Sequence, residues 1–264
     1  MTDILSELCA LRARDAEEGA RREPLSALLA RPETSAPRPS FLAALRRPAG
    51  ARARVIAELK KASPSKGLIR ADFRPADLAA ALTAGGASAL SVLVEPHRFL
   101  GDAANLALAR SRSALPLLWK DIVVSKWQVA KAAACGASAV LLIVAALSDA
   151  RLRALLGFAR DLGLDALVEA HNAAEIERAL DLGARIVGVN SRDLRTFHTD
   201  PDAAFGLLAR IPADRVRVAE SGVRDAAGLR LAEAAGADAV LVGEALMRVT
   251  DPASALRELF TNDN

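Results

Sequence analysis

The sequence predicts an α/β protein, a single (β/α)8 TIM barrel with an N-terminal helical extension, and three observations carry the prediction. Eight short apolar runs recur roughly every 25 residues, which in a chain of 264 residues matches the ~250 residues such barrels need. A loop and a helix-period amphipathic stretch follow each run. The turn from helix back to strand is nearly copied, at Gly86-Ala-Ser-Ala, Gly136-Ala-Ser-Ala, Gly183-Ala-Arg-Ile and Gly236-Ala-Asp-Ala. Glycine just past a helix end takes the left-handed turn, and the strand starts within a few residues. A doubly wound open sheet is the alternative. It has fewer strands and a glycine-rich phosphate turn after the first, where this chain has Ser63-Pro-Ser-Lys-Gly67.

Residues 1–47 read as the extension and 48–264 as the barrel. Ile4, Leu5, Leu8 and Leu11 have helical spacing, and the charged run that follows completes an amphipathic helix over 4–20. Pro24 opens a second short helix reaching 29. Pro32, Pro37 and Pro39 mark 31–40 as a connector, and 41–45 form another helical turn. The barrel strands are expected at 54–60, 88–94, 115–120, 138–144, 165–169, 185–190, 215–220 and 238–243. They are near-continuous apolar runs, as parallel strands covered by helices should be. The helices are expected near 75–84, 102–112, 126–134, 149–161, 172–181, 200–210, 225–235 and 251–260.

Composition narrows the function. A hydrophobic content of 52% supplies a large core, with few aromatics and no tyrosine. The formal charge is +3, and the arginine-rich stretches at 12–22 and 46–54 include acids, so they read as solvated helix faces. A nucleic-acid partner would need a denser basic stripe with aromatics, and none is expected. A mild positive bias suits a small anionic substrate. No segment reaches membrane-spanning length without charges, and Met1-Thr-Asp-Ile lacks a basic leader region, so a cytoplasmic protein with no membrane partner is expected. Cys9 and Cys135 have no ligand spacing and read as free thiols. His97, His171 and His198 stand in loops or at helix starts; solvated or capping roles are expected for each, and no metal.

In a barrel, function sits where the strands end at the C-terminal face. Those ends read Glu58 with Lys60, Glu95, Lys120, Ala145, Glu169, Asn190, Glu220 and Gly243-Glu244. Nearly every end carries or adjoins a polar group, which a barrel without a site would not need. Glu58 and Lys60 share a strand face and are either a structural ion pair or part of a site. Lys60 and Lys120 converge on one mouth, where two ammonium groups lower each other's pKa and attract an anion. Glu58 and Glu169 add carboxylates. A lysine reaching out to solvent is the alternative for Lys120, and a turn residue the alternative for Asn190. Ser221-Gly222 and Gly243-Glu244 follow the last two strands, the usual barrel phosphate site, where backbone N–H groups approach an anion.

These residues resemble a known family. Ile56-Ala-Glu58-Leu-Lys60-Lys-Ala-Ser-Pro-Ser-Lys-Gly67, Lys120-Asp121, Val168-Glu169, Gly188-Val-Asn190-Ser-Arg192-Asp193-Leu194, Ala219-Glu220-Ser221-Gly222 and Val242-Gly243 are together similar to the indole-3-glycerol phosphate synthase family of tryptophan biosynthesis. The resemblance spans nearly the whole chain. It implies a phosphorylated substrate, 1-(2-carboxyphenylamino)-1-deoxyribulose 5-phosphate, converted to indole-3-glycerol phosphate, carbon dioxide and water. It implies Lys120 as general acid at the substrate carbonyl and Lys60 as holder of the substrate anion and donor in the dehydration. Glu169 is then the base of that step, with Glu58 and Asn190 as positioning groups. Ser221 is implied both in catalysis and, with Gly222, Gly243 and Glu244, in the phosphate loop. Arg192, Glu220 and Ser63 are implied in substrate binding, Ser63 on a loop expected to close over the site. No redox step occurs, so no cofactor is expected, and the family implies a monomer. Ile122 stands where the family often has Phe and thins the apolar wall, and Trp119 is expected to face the helix layer. A phosphoribosylanthranilate isomerase-like barrel or a noncatalytic phosphate-sugar-binding barrel is the alternative. The first would carry a Cys near the first strand's end and an Asp acid, and the second would not need Lys120 or Glu169.

Overall fold

The computed structural model describes residues 4–192 and 201–261, without the side chains of 201–203. His198 and the Asp193-Leu194 end of the motif above lie outside the described residues. Four helices come first: α1 (Ile4–Arg22), α2 (Leu25–Leu29), α3 (Pro32–Ser35) and α4 (Phe41–Leu45). Then follow β1 (Arg54–Leu59), a two-stranded hairpin of β2 (Ala62–Ser63) and β3 (Gly67–Leu68), α5 (Pro75–Ala84), β4 (Ala89–Leu93) and α6 (Ala104–Arg110). Next are β5 (Leu117–Lys120), α7 (Lys126–Ala134), β6 (Ala139–Ile143), a 3-10 turn (Val144–Ala146), α8 (Asp149–Asp161), β7 (Asp165–Ala170) and α9 (Ala173–Asp181). The chain ends with β8 (Ile186–Asn190), α10 (Pro201–Leu208), β9 (Val216–Glu220), α11 (Ala226–Ala234), β10 (Ala239–Val242), α12 (Glu244–Met247) and α13 (Pro252–Glu258). Strands β1 and β4 to β10 pair in sequence order, all parallel, and β10 closes onto β1.

The expected strands and barrel helices all form, within one or two residues at most ends. The four copied glycines lie at φ +83° to +97°, the left-handed region that a side chain resists. Three pieces differ from expectation. Residues 32–35 are a helical turn, because Pro32 sits at its first position, where a missing N–H costs nothing. The loop after β1 folds back as the β2–β3 hairpin. The short α12 starts directly after Gly243.

Alternation along each strand sorts the side chains into two cores. One set faces the helices and includes Val55, Leu59, Trp119, Leu142, Val168, Val187 and Val240. Trp119 thus faces the helix layer, as expected. The other fills the barrel interior with Ile56, Leu118, Leu141, Leu167, Ile186, Val218 and Leu241. Two residues further along the same inward ladders stand Glu58, Lys120, Ile143, Glu169, Gly188, Glu220 and Gly243. The interior therefore changes from aliphatic to charged in one step toward the C-terminal mouth.

The extension runs from that mouth to the floor. At the top, Arg12 of α1 grips Asp121, next to Lys120, through two hydrogen bonds of 2.8 and 2.7 Å. Asp121 is 1% exposed and also accepts from Trp119 Nε1, Gln128 Nε2 and Ile122 N–H. At the floor, Asp165 at the start of β7 accepts from Ser40 Oγ and the Leu42 N–H. Phe41 and Leu45 of α4 are fully buried there, closing the barrel interior from below.

Candidate active site

A cavity of about 310 Å³ opens at the C-terminal mouth. Three neighbouring-but-one strands, β5, β7 and β9, supply its central charges. Lys120 Nζ lies 2.6 Å from Glu220 Oε2 and 3.1 Å from Glu169 Oε2. Both carboxylates are nearly inaccessible, at 1% and 2% exposure. From β1, Lys60 Nζ pairs with Glu58 Oε1 at 2.6 Å, and Ser91 Oγ approaches the other Glu58 oxygen at 3.5 Å. Gly243, beside Glu58 at the end of the neighbouring strand β10, leaves room for this pair. A Cβ there would sit 2.5 Å from Glu58 Oε1 and 3.1 Å from Lys60 Nζ.

The electrostatics differ from the expectation that two lysines depress each other. Burial alone would lower the Lys120 pKa, but Glu220, Glu169 and Glu58 outweigh it and hold the ammonium well above the usual lysine range. Burial raises Glu58, yet Lys60 and Lys120 together hold it below the carboxylate range. Both lysines thus act on Glu58, and Lys120 is raised rather than depressed. Glu169 and Glu220 behave as one coupled pair around a single ammonium. Burial opposes both charges; Lys120 and then His171 hold Glu169 down to about 2, while burial and the Glu169 charge push Glu220 up to about 8.

One side of the mouth is suited to an anion. Ser221 and Gly222 are successive left-handed residues, at φ +65° and +87°, a concave backbone turn of the kind that cradles phosphate. Strain at Ser221 is held in place by its hydroxyl, which donates to Asn190 Oδ1 at 2.9 Å. The Arg192 N–H donates to the same oxygen at 3.0 Å, so Asn190 is a fastener between two loops. Arg192 Nη1 also donates to Ser65 Oγ at 3.4 Å, tying the first loop to the sixth. The Glu244 carboxylate turns to Arg248 Nε, 2.9 Å away, and leaves the start of α12 at the cavity. The opposite wall is apolar, formed by Leu93, Phe99, Ile122, Leu141 and Ile143. Ile122 is part of it.

Not every candidate arrives. Ser63 is buried in β2 with its hydroxyl unpartnered, and Pro64 and Lys66 line the cavity in its place. Glu95 uses its carboxylate to accept from the N–H groups of His97, Arg98 and Phe99, so it shapes a loop. His97 hydrogen-bonds Asp15 of α1 at 2.7 Å. His171 is the correction among the histidines. It is neither solvated nor a cap; its side chain is 16% exposed and wedged between Glu169 and Glu175. Its position two residues after Glu169, on the same strand face, was the signal for it. Gly188 was also overlooked. It lies beside Glu169 in register, and a Cβ there would overlap Glu220 Oε1. A glycine inside a buried strand signals such a close approach.

The family model described as Indole-3-glycerol phosphate synthase matches residues 5–259. A protein of that name from Aromatoleum aromaticum is 47% identical over 261 residues, covering 98% of this chain and 100% of the relative. One from Acidithiobacillus ferrooxidans is also 47% identical, covering 98% and 99%. Solved structures share the fold at lower identity. A tryptophan synthase alpha-subunit mutant from Pyrococcus furiosus superposes with TM-score 0.61 and 17% identity over 79% of this chain and 98% of its own. A 3-hexulose-6-phosphate synthase gives TM-score 0.64 at 15% identity, covering 78% and 97%.

Proposed function

The chain belongs to the indole-3-glycerol phosphate synthase family, and from that premise we propose a division of labour among the charged residues at its mouth. The enzyme is a carboxy-lyase of tryptophan biosynthesis. It closes, decarboxylates and dehydrates 1-(2-carboxyphenylamino)-1-deoxyribulose 5-phosphate to indole-3-glycerol phosphate. The observation that carries the proposal is Lys120, an ammonium held between Glu169 and Glu220 and facing an apolar wall.

In the first step the ring carbon bearing the carboxylate attacks the ketone. Charge develops on the ketone oxygen, and Lys120, protonated at any ordinary pH, donates to it. The apolar wall keeps the ring against the ketone, and Ser221, Gly222, Gly243 and the Glu244 N–H hold the phosphate, so remote binding energy bends the chain. The bond to the carboxylate then breaks, carbon dioxide leaves, and its electron pair restores the aromatic ring. In the dehydration Lys60 protonates the departing hydroxyl, and Glu169 takes a proton from the adjacent methylene carbon, forming the ring double bond. Glu169 then returns that proton to Lys120, 3.1 Å away. Carboxylate becomes neutral carbon dioxide, so one further proton enters from solvent each turnover and resets Lys60. Glu58 steers Lys60, Glu220 steers Lys120, and Asn190 and Arg192 lock the loops. The β2–β3 loop, through Lys66, closes the site.

The proposal includes a cytoplasmic monomer with no nucleic-acid or membrane partner. Among the described residues no helix is long and apolar enough to cross a membrane. Purified protein given the carboxyphenylamino-deoxyribulose phosphate is expected to generate indole fluorescence with one carbon dioxide per indole; no fluorescence would end the proposal. Gly188→Ala is expected to displace Glu220 from Lys120. Overpacking of this kind costs about 1–3 kcal/mol of stability, read by urea unfolding, and turnover falls by roughly tenfold or more. Wild-type turnover in this variant would show that Glu220 has no part in placing Lys120.

A further inference from the structure

Behind the mouth stands a titratable side chain for which the mechanism above has no use. His171 Nε2 is buried, lacks a hydrogen-bond partner and points at Glu169 Oε1, 3.5 Å away. The other ring nitrogen, Nδ1, lies 3.3 Å from Glu175 Oε2. The Glu175 carboxylate is fixed in this position, because the His171 backbone N–H donates to that same oxygen at 2.8 Å and Asn172 Nδ2 donates to the other. A neutral imidazole has one N–H, so one of the two carboxylates would face a lone pair. Only the imidazolium has a donor for both.

The Glu169–Glu220 pair poses a related problem. Both carboxylates are buried beside one ammonium, and Lys120 is closer to Glu220, at 2.6 Å against 3.1 Å. By distance to Lys120 alone Glu220 would be the ionised member, and Glu169, protonated, would be no base. Glu220 Oε1 is itself buried without a donor, as an oxygen awaiting a proton would be. We propose that His171, as an imidazolium, is a positioning residue that directs the proton shared by the two carboxylates onto Glu220 and so keeps Glu169 ionised. The charged groups facing His171 are Glu169 from β7, Glu175 from the first turn of α9 and Glu220 from β9, with Lys120 of β5 beyond Glu169. Burial disfavours the imidazolium, but the Glu175 hydrogen bond and the charges of Glu169, Glu175 and Glu220 raise its pKa. This role rests on Glu169 being the base of the dehydration.

The test is the pH dependence of His171→Gln, which keeps a hydrogen-bond donor and removes the charge. With the imidazolium gone, the shared proton moves toward Glu169, and the acid limb of kcat shifts up toward neutrality. The expected loss in kcat is roughly tenfold near pH 6.5, shrinking to under about threefold near pH 8.5, with KM within about twofold. Equal losses at both pH values, the mark of a merely structural role, would overturn the proposal, as would no loss at either. NMR titration decides the matter if the variant does not fold. The chain has three histidines, so the His171 ring signal is assignable. Its midpoint is expected above the ordinary histidine range in the wild type and lower in Glu169→Gln; a midpoint indifferent to Glu169 would overturn the proposal. The NMR readout is independent of turnover. A fully active Glu169→Gln would instead sink the base assignment, whatever the histidine does.

Discussion

Lys120→Ala is expected to lower kcat by roughly 10³-fold, the range of a lost general acid, while circular dichroism remains that of the folded barrel. Uncatalysed attack on the ketone would leave an unprotected oxyanion against the apolar wall, and among the described residues no other ammonium is hydrogen-bonded to both Glu169 and Glu220. The same substitution changes stability. Removing one member of a buried ion network costs about 3–5 kcal/mol, because Glu169 and Glu220 then lose the ammonium that lies between them. The sign with pH follows from the directions of the shifts. In the wild type, Glu169 is held down to about 2, so its stabilising contribution is present above the unfolded carboxylate pKa and lost as pH falls toward 2. Glu220, raised to about 8, has the opposite sign, and its contribution grows as pH falls from ~8 toward ~4.5. Without Lys120 Glu220 rises further and Glu169 rises from its depressed value, so the gain in stability on acidification from neutral toward ~4.5 is larger in the variant than in the wild type. Urea unfolding across that range reads the effect, and a variant that weakens on acidification through it would contradict the pairing.

Glu169→Gln is expected to reduce indole formation by roughly 10²–10³-fold, the usual loss on removing a positioned base. The amide preserves the size of the group and cannot take the methylene proton. Lys120 keeps its 2.6 Å bond to Glu220 in this variant, so ring closure and loss of carbon dioxide are expected to survive. The two substitutions therefore block different steps: Lys120→Ala stops the reaction before carbon dioxide leaves, Glu169→Gln after. A quenched time course that finds a decarboxylated, still hydroxylated intermediate in the second variant is the expected outcome; only unreacted substrate would show that Glu169 acts earlier.

The barrel was legible because its signals are local. A glycine past a helix and an apolar run after it mark one unit, four times over, and repetition fixes the rest. The strand-end residues Glu58, Lys120, Glu169 and Glu220 were legible for the same reason, since a barrel puts every strand end at one mouth. What sequence spacing did not contain is which ends meet. Lys120, Glu169 and Glu220 lie on alternate strands and touch only because closure of the barrel curves β5, β7 and β9 around a common axis. Spacing alone therefore implies two lysines that repel, whereas Lys120 sits between two carboxylates and Lys60 pairs with a third. Its motif marks Ser63 as a ligand, but folding of its loop into the β2–β3 hairpin buries it and presents Lys66. The grip of Arg12 on Asp121 is a contact across 109 positions that no periodicity announces. Gly188 and His171 did have local signals, a glycine in a buried strand and an i, i+2 neighbour of Glu169.

The division of labour between Lys120 and Glu169 is tested most directly by one turnover with enzyme in excess, following carbon dioxide and indole separately in Lys120→Ala and Glu169→Gln. The expected result is neither product from Lys120→Ala, and close to one carbon dioxide per site without indole from Glu169→Gln. Carbon dioxide and indole appearing together at the same rate in Glu169→Gln, or a burst of carbon dioxide from Lys120→Ala, would contradict it.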